Sequence, residues 1–331
     1  MTTIYTNRVK WISSYSTSAA LIVVGMVSGY ALGAGLFTTT ESWREEREQG
    51  TRYTFISPLL SCDAAALSNT STGVLKTLRT SLQEKITTQK SRGDIVRAAV
   101  YVRELNDGVW LGINERDEFT PGSLLKVPAV MSLYKYAQEK DPTILSRQFE
   151  FDGGGVGISQ QYPPPEALVR GTVYSVEDMA AHALRYSDND AASLIAQSID
   201  AEYLFDAYHD LGFTAPALGQ DYVIRVKDYA AFFRLLFNAT YISRDASEHV
   251  LQLLSQSSFT KGLVAGVPQG IIVSHKFGER EVGGSTQQLH DCGIVYARNP
   301  YIICVFSQGP SFEKLEQFIQ EVSRATYEVF K

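Results

Sequence analysis

The sequence predicts an α+β fold: a five-stranded antiparallel sheet flanked by the N- and C-terminal helices, with an inserted helical lobe, all preceded by one transmembrane helix. Three observations predict it. Two strand-like runs stand early in the chain and three stand late, with helical patterning between them. An amphipathic helix stands just inside each end of the patterned region. A long uncharged apolar run precedes everything else. With 331 residues and 44% hydrophobic content, the chain can bury a sizeable core, as two domains or one large two-lobed domain.

The apolar run is AALIVVGMVSGYALGAGLF, residues 19–37. At ~1.5 Å rise per residue it spans about 28 Å, close to the thickness of a bilayer's hydrocarbon core. Arg8 and Lys10 precede it with no acid, and Glu41, Glu45, Glu46 and Glu48 follow among Arg44 and Arg47. The positive-inside rule therefore expects residues 1–18 in the cytoplasm, a single-pass anchor in the lipid bilayer over 19–37, and an extracytoplasmic remainder. A cleaved signal peptide is the competing reading, with small residues at Ala31 and Gly33; the length of the run favours an anchor. Gly25, Gly29 and Gly33 recur every fourth residue, a ridge suited to weak pairing of two anchors. The polar, charge-mixed residues 38–56 read as a stalk, and the globular domain is expected over 57–331.

In that domain, STGVLKTLRTSLQEKI (71–86) sets Val74, Leu75, Leu78, Leu82 and Ile86 on one helical face. Residues 95–105 and 109–115, split by Asn106-Asp107-Gly108, read as two strands around a tight turn. A helix-rich middle spans about 121–255. Residues 271–279, 289–297 and 301–308 are strand-like, the last two joined by Arg298-Asn299-Pro300. The helix at 312–330 closes the pattern. Gly153-Gly154-Gly155-Val156-Gly157 lacks the GK[ST] of a phosphate loop and reads as a flexible hairpin.

Composition excludes several classes. Lys and Arg total 30 against 36 Asp and Glu, a net charge of −6, which lacks the basic footprint of a nucleic-acid binder. The five histidines are scattered, with no HxH or HExxH pair, so no metal site is expected. Three cysteines without CxxC make neither a disulfide scaffold nor a zinc ribbon. Cys292 and Cys304 flank the 298–300 turn nearly symmetrically, so they face each other across an antiparallel pair. Cross-strand Cβ separations of about 4.5–5.5 Å make a bridge geometrically borderline, and an oxidising compartment favours it. Cys62 is left over.

Three short motifs carry chemistry. In Thr120-Pro121-Gly122-Ser123-Leu124-Leu125-Lys126, which opens a helix, Ser123 and Lys126 share a face, near enough for the amine to take the hydroxyl proton. The helix N-terminus would favour an oxyanion beside Ser123. Ser187-Asp188-Asn189 follows a helix capped at Ser175 and places a hydroxyl and a carboxamide at a helix junction; a plain N-cap is the competing reading. In Ser274-His275-Lys276-Phe277-Gly278-Glu279, alternation sends Ser274, Lys276 and Gly278 to one face of the sheet, and His275 and Phe277 to the other. Lys276 then stands as a cation at the mouth of the sheet, and Gly278 lets a substrate lie against the backbone.

Together, S-x-x-K, S-D-N and K-x-G in this order resemble the serine β-lactamases and penicillin-binding proteins, and the element order resembles the class A β-lactamase fold over roughly 57–331. The resemblance implies that Ser123 is acylated and Lys126 accepts its proton. It implies that Ser187 relays a proton to the leaving nitrogen, Asn189 holds the substrate amide and Lys276 gives electrostatic support. The backbone N–H groups of Ser123 and Glu279 would form the oxyanion hole. No metal or organic cofactor is implied; the substrate would be a β-lactam or a peptidoglycan stem peptide. Two departures stand out. Phe277 occupies the place where the family usually has Thr or Ser, removing a hydrogen bond to a substrate carboxylate. The stretch Leu211–Arg225, downstream of Ser187-Asp188-Asn189, holds no Glu for deacylation, and Asp221 is its only acid. A β-lactamase with slow deacylation, a D,D-peptidase or related peptidoglycan hydrolase, and a non-turning-over penicillin-binding sensor are the competing expectations.

Overall fold

The structure, a computed structural model, describes residues 41–47, 53–66, 69–154, 157, 159–216, 221–283 and 286–331. The chain separates into two compact units, Met1–Arg44 with Asp63–Ser68, and Glu45–Cys62 with Asn69–Lys331. The expected anchor at 19–37, with Gly25, Gly29 and Gly33, lies outside the described residues; among those described, no helix is long and apolar enough to cross a membrane.

Strands β1 (Glu41–Arg47) and β2 (Leu59–Ala66) pair with each other, so part of the expected stalk is strand. The N–H groups of Thr54, Phe55 and Ile56, at the end of the segment read as stalk, all donate to the Glu248 carboxylate at 2.6–3.0 Å, which fastens these residues to the globular unit.

The rest follows in chain order as α1 (Asn69–Ser91), β3 (Arg97–Glu104), β4 (Trp110–Ile113), β5 (Glu118–Phe119), a 3₁₀ turn (Gly122–Leu125) and α2 (Lys126–Glu139). Next come β6 (Gln148–Glu150), β7 (Val173–Ser175), α3 (Val176–Arg185), α4 (Asn189–Ser198), α5 (Ala201–Leu204) and α6 (Asp206–Asp210). Then come β8 (Ile224–Arg225), α7 (Val226–Asn238) and α8 (Arg244–Ser255). The chain closes with β9 (Val273–Val282), β10 (Thr286–Val295), β11 (Tyr301–Gly309) and α9 (Phe312–Phe330).

The main sheet has the order β4-β3-β11-β10-β9, antiparallel throughout. Strands from both ends of the domain thus meet at the β3–β11 pair. Because side chains alternate across a strand, each face has its own core. Val100, Val102, Ile303 and Val305 pack with Leu78 and Leu82 of α1 and Leu315 and Phe318 of α9. Tyr101, Ile302, Cys304 and Phe306 turn to the other face and pack with the helical lobe, including Val130 of α2 and Phe232 and Phe233 of α7. Cys292 and Cys304 are direct partners in the β10–β11 register and are joined by a disulfide, closing a loop of sequence separation 12.

Candidate active site

Ser123 lies in the 3₁₀ turn, one residue pair before α2 begins at Lys126, rather than inside an α-helix. The turn is held from three sides. The Tyr229 hydroxyl donates to the Leu124 carbonyl at 2.9 Å. His290, stacked on Phe306, places Nε2 3.0 Å from the Thr120 carbonyl and takes the Ser307 N–H on Nδ1 at 3.2 Å. Full burial pushes the His290 imidazole down to about 3, so it is the neutral ring that makes these bonds.

The third contact is backbone against backbone. A Cβ on Gly278 would stand 2.3 Å from the Pro121 oxygen, and one on Gly122 would stand 2.6 Å from the Glu279 oxygen. Only hydrogen fits between β9 and the turn. Gly278 therefore makes room for the turn that bears Ser123. The same approach brings the Glu279 N–H beside Gly122, the residue before Ser123. That is where an oxyanion formed at Ser123 would need a donor.

Lys126 is buried and reaches Ser123 Oγ at 2.9 Å. Its Nζ also donates to the Ser187 carbonyl at 2.7 Å and to Asn189 Oδ1 at 2.7 Å, with Ser187 Oγ at 3.3 Å. A neutral amine has two N–H groups and one lone pair. If the two short acceptors take the N–H groups, the lone pair is left for the Ser123 hydroxyl. Desolvation pulls the amine down to about 7, although Asp188, Glu279 and Asp190 each favour its charged form. Asn189 thereby has its oxygen engaged with Lys126, and only its amide nitrogen remains for a substrate.

Ser187 has φ +58, a left-handed conformation for a residue with a Cβ, and is fully buried. Its hydroxyl stands between the two amines, 2.8 Å from Lys276 Nζ. Asp188 caps α4, accepting from the Asp190 and Ala191 N–H groups with one oxygen and from the Leu168 N–H with the other. Ser187-Asp188-Asn189 is therefore both an N-cap and the carrier of two site groups. Lys276 does not stand at the mouth of the sheet: it is wholly buried, its Nζ donating to Ser187 Oγ and the Phe277 carbonyl, and desolvation plus the nearby Lys126 holds its amine well below the usual lysine range. His275 and Phe277 do face away, His275 Nδ1 meeting Asp291 Oδ1 at 2.8 Å.

Asp221 is exposed and accepts from Arg280 at 2.9 Å, with no bond to Ser123, Lys126 or Ser187. Glu279, whose side chain the sequence reading passed over in favour of its backbone, accepts the Gln161 and Tyr162 N–H groups and, with Asp188 and Asp190, favours the charged form of Lys126. Gln160 was also missed: its Nε2 donates to the Ser187 carbonyl at 3.3 Å, so the β6–β7 loop borders the site. Neither role has a sequence signal, because both arise from a loop crossing distant elements.

Solved structures share this architecture. PBP-A is 20% identical, with 76% of this chain and 96% of that chain covered and a TM-score of 0.62. A β-lactamase from Chitinophaga pinensis DSM 2588 is 17% identical, with 77% and 100% covered and a TM-score of 0.65. A class A β-lactamase from Mycobacterium abscessus is 19% identical, with 75% and 98% covered and a TM-score of 0.63. No curated protein matches the chain in sequence. The family described as Beta-lactamase enzyme family matches residues 78–330, which takes in the whole sheet and all three motifs. On that match the chain belongs to the β-lactamase enzyme family.

Proposed function

We propose that this protein is a serine hydrolase that cleaves a cyclic or peptide-like amide through an ester on Ser123, and that it releases the acyl group slowly. The observation that carries this reading is the Ser123–Lys126 contact, a hydroxyl 2.9 Å from a buried amine whose pKa lies at about 7. At neutral pH that amine is available as a base. It takes the Ser123 proton as Oγ adds to the carbonyl carbon, and the backbone N–H groups of Ser123 and Glu279 receive the developing oxyanion. As the C–N bond breaks, the Ser187 hydroxyl gives its proton to the leaving nitrogen and is reprotonated from the adjacent amines. Acylation is thereby supported on both sides of the bond.

Deacylation is less well served. The attacking water needs a base other than the Ser123–Lys126 pair, and Asp221 is turned out to Arg280. That observation favours an enzyme that β-lactams acylate and inhibit, as in a D,D-peptidase or a penicillin-binding sensor, over one that destroys them rapidly. Anchoring in a bilayer through 19–37, with the catalytic unit outside the cytoplasm, belongs to the same reading and is supported by the charge asymmetry around that run. Incubation with a fluorescent penicillin tests the whole: a stoichiometric burst of labelling that then holds is expected, and Ser123→Ala should abolish it. Labelling that survives Ser123→Ala, or steady hydrolysis lost in Asp221→Asn, would refute it.

A further inference from the structure

Helix α2 opens as Lys126-Val127-Pro128 and runs on directly from the 3₁₀ turn that holds Ser123. Pro121, Leu125 and Lys126 all have right-handed helical backbone angles, so the chain coils from the turn into the helix without a break. On such a path the carbonyl of Leu124 is due the N–H of residue 128, four positions on. Residue 128 is proline and has no N–H to give. The Lys126 N–H is shared between the Ser123 and Leu124 carbonyls. Leu124 is fully buried, which closes its carbonyl to bulk water.

A donor does meet that carbonyl, from 105 residues away: the Tyr229 hydroxyl, on α7, bonds to it at 2.9 Å. The tyrosine ring is set among Phe232, Phe233 and Phe306, with centroids 5.7, 6.1 and 6.0 Å away. Burial, with Asp291 nearby, holds the phenol well above its usual range, so the hydroxyl keeps its proton and stays a donor. Leu124 stands in the chain between the nucleophile and its base, where the winding changes from 3₁₀ to α. Residues three apart stand one above the other in a 3₁₀ turn and are offset by about 60° in an α-helix. The winding at Leu124 therefore sets how Ser123 and Lys126 face each other.

We propose that Tyr229 is a positioning residue for the nucleophile: its hydroxyl stands in for the N–H that Pro128 lacks and fixes the Leu124 peptide, so that Ser123 Oγ stays within reach of Lys126. The inference rests on Ser123 being the acylated residue and Lys126 its base. Tyr229 acts through the backbone between them, not on the reacting atoms. Without its hydroxyl, a buried carbonyl is left short of a donor and regains one only by turning, and the 3₁₀ turn moves with it.

Labelling of the full-length chain by a fluorescent penicillin, followed over a range of penicillin concentrations, separates the limiting acylation rate from the half-saturating concentration. In the step measured, Ser123 Oγ bonds to the lactam carbonyl carbon, the C–N bond breaks, and one proton moves from Ser123 through Lys126 and Ser187 to the nitrogen. Tyr229→Phe keeps the ring and removes only the hydroxyl. It should lower the limiting rate about tenfold while changing the half-saturating concentration by less than about twofold. Pro128→Ala supplies the missing N–H. In that background, adding Tyr229→Phe should lower the limiting rate by no more than about twofold. Lost packing would not be repaired by a new backbone donor. Denaturant unfolding midpoints show that each variant is folded. An unchanged limiting rate in folded Tyr229→Phe, a change confined to the half-saturating concentration, or the same loss with Pro128→Ala in place would overturn the proposal and leave Ser123 assigned. Absence of labelling in the wild-type protein, or labelling that survives Ser123→Ala, would overturn that assignment and this inference with it.

Discussion

An amine held between two oxygen acceptors presents its lone pair in the remaining direction, and for Lys126 that direction is Ser123. The consequence is a pH profile of known sign. The ammonium form, populated below about 7, has no lone pair to give. Acylation by penicillin should therefore fall as pH drops through about 7, by roughly tenfold per unit well below it, and level off above. Quenched labelling between pH 5.5 and 8.5 reads this directly, and a flat profile would count against Lys126 as the base. Lys126→Ala should slow labelling by ~10²–10⁴-fold. Ser123, Lys126, Ser187, Asn189 and Lys276 were legible in the sequence because each sits in a short motif whose spacing survives folding. The Glu279 side chain and Gln160 were not, because the 160–162 loop meets Ser187 27 residues on and Glu279 117 to 118 residues on. Asp221 misled in the opposite way. Its position downstream of Ser187-Asp188-Asn189 suited a base, but Arg280 draws it outward.

The contact between β9 and the 3₁₀ turn is where local elements become a site. Its closeness depends on two glycines, and an added methyl at Gly278 meets backbone oxygen, which cannot swing aside as a side chain can. Gly278→Ala should cost about 1–3 kcal/mol of stability through overpacking. It should also slow acylation by about 10²-fold if the turn is displaced by an ångström. Denaturant midpoints and labelling rates measure the two effects separately; normal values for both would remove this contact from the argument. The strands themselves were mostly legible from alternation, with errors at their ends. β9 begins at Val273 rather than 271 and continues to Val282, because Glu279, Arg280 and Glu281 are carried by pairing with Leu289, Gln288 and Gln287 rather than by apolar character. Residues 53–56 escaped notice for a similar reason: one distant carboxylate, Glu248, holds them.

At the scale of the whole molecule, the sheet joins two cores through buried polar groups, and His290 ties it to the nucleophile turn. Its ordinary value near 6.5 applies in the unfolded chain, against about 3 when folded. Between those values the unfolded state binds the extra proton. This contribution to stability is therefore complete above about 6.5 and is lost progressively as pH falls toward 3. Denaturant unfolding at pH 7.0, 5.5 and 4.5 should show the decline, and His290→Gln should make its slope shallower; an unchanged slope would assign the acid sensitivity elsewhere. The two-faced sheet was legible as a whole because early and late strands alternate and an amphipathic helix adjoins each set. The β3–β11 pairing that unites the sets also has a temporal meaning. Ser123 and Lys126 leave the ribosome well before β11, yet β9, with Lys276 and Glu279, is held in the sheet only through β10 and β11 to β3. A nascent or truncated chain lacking residues 301–309 carries the nucleophile without the strand that completes its surroundings. The surroundings of Ser123 are thus complete only once residues 301–309 have joined the sheet.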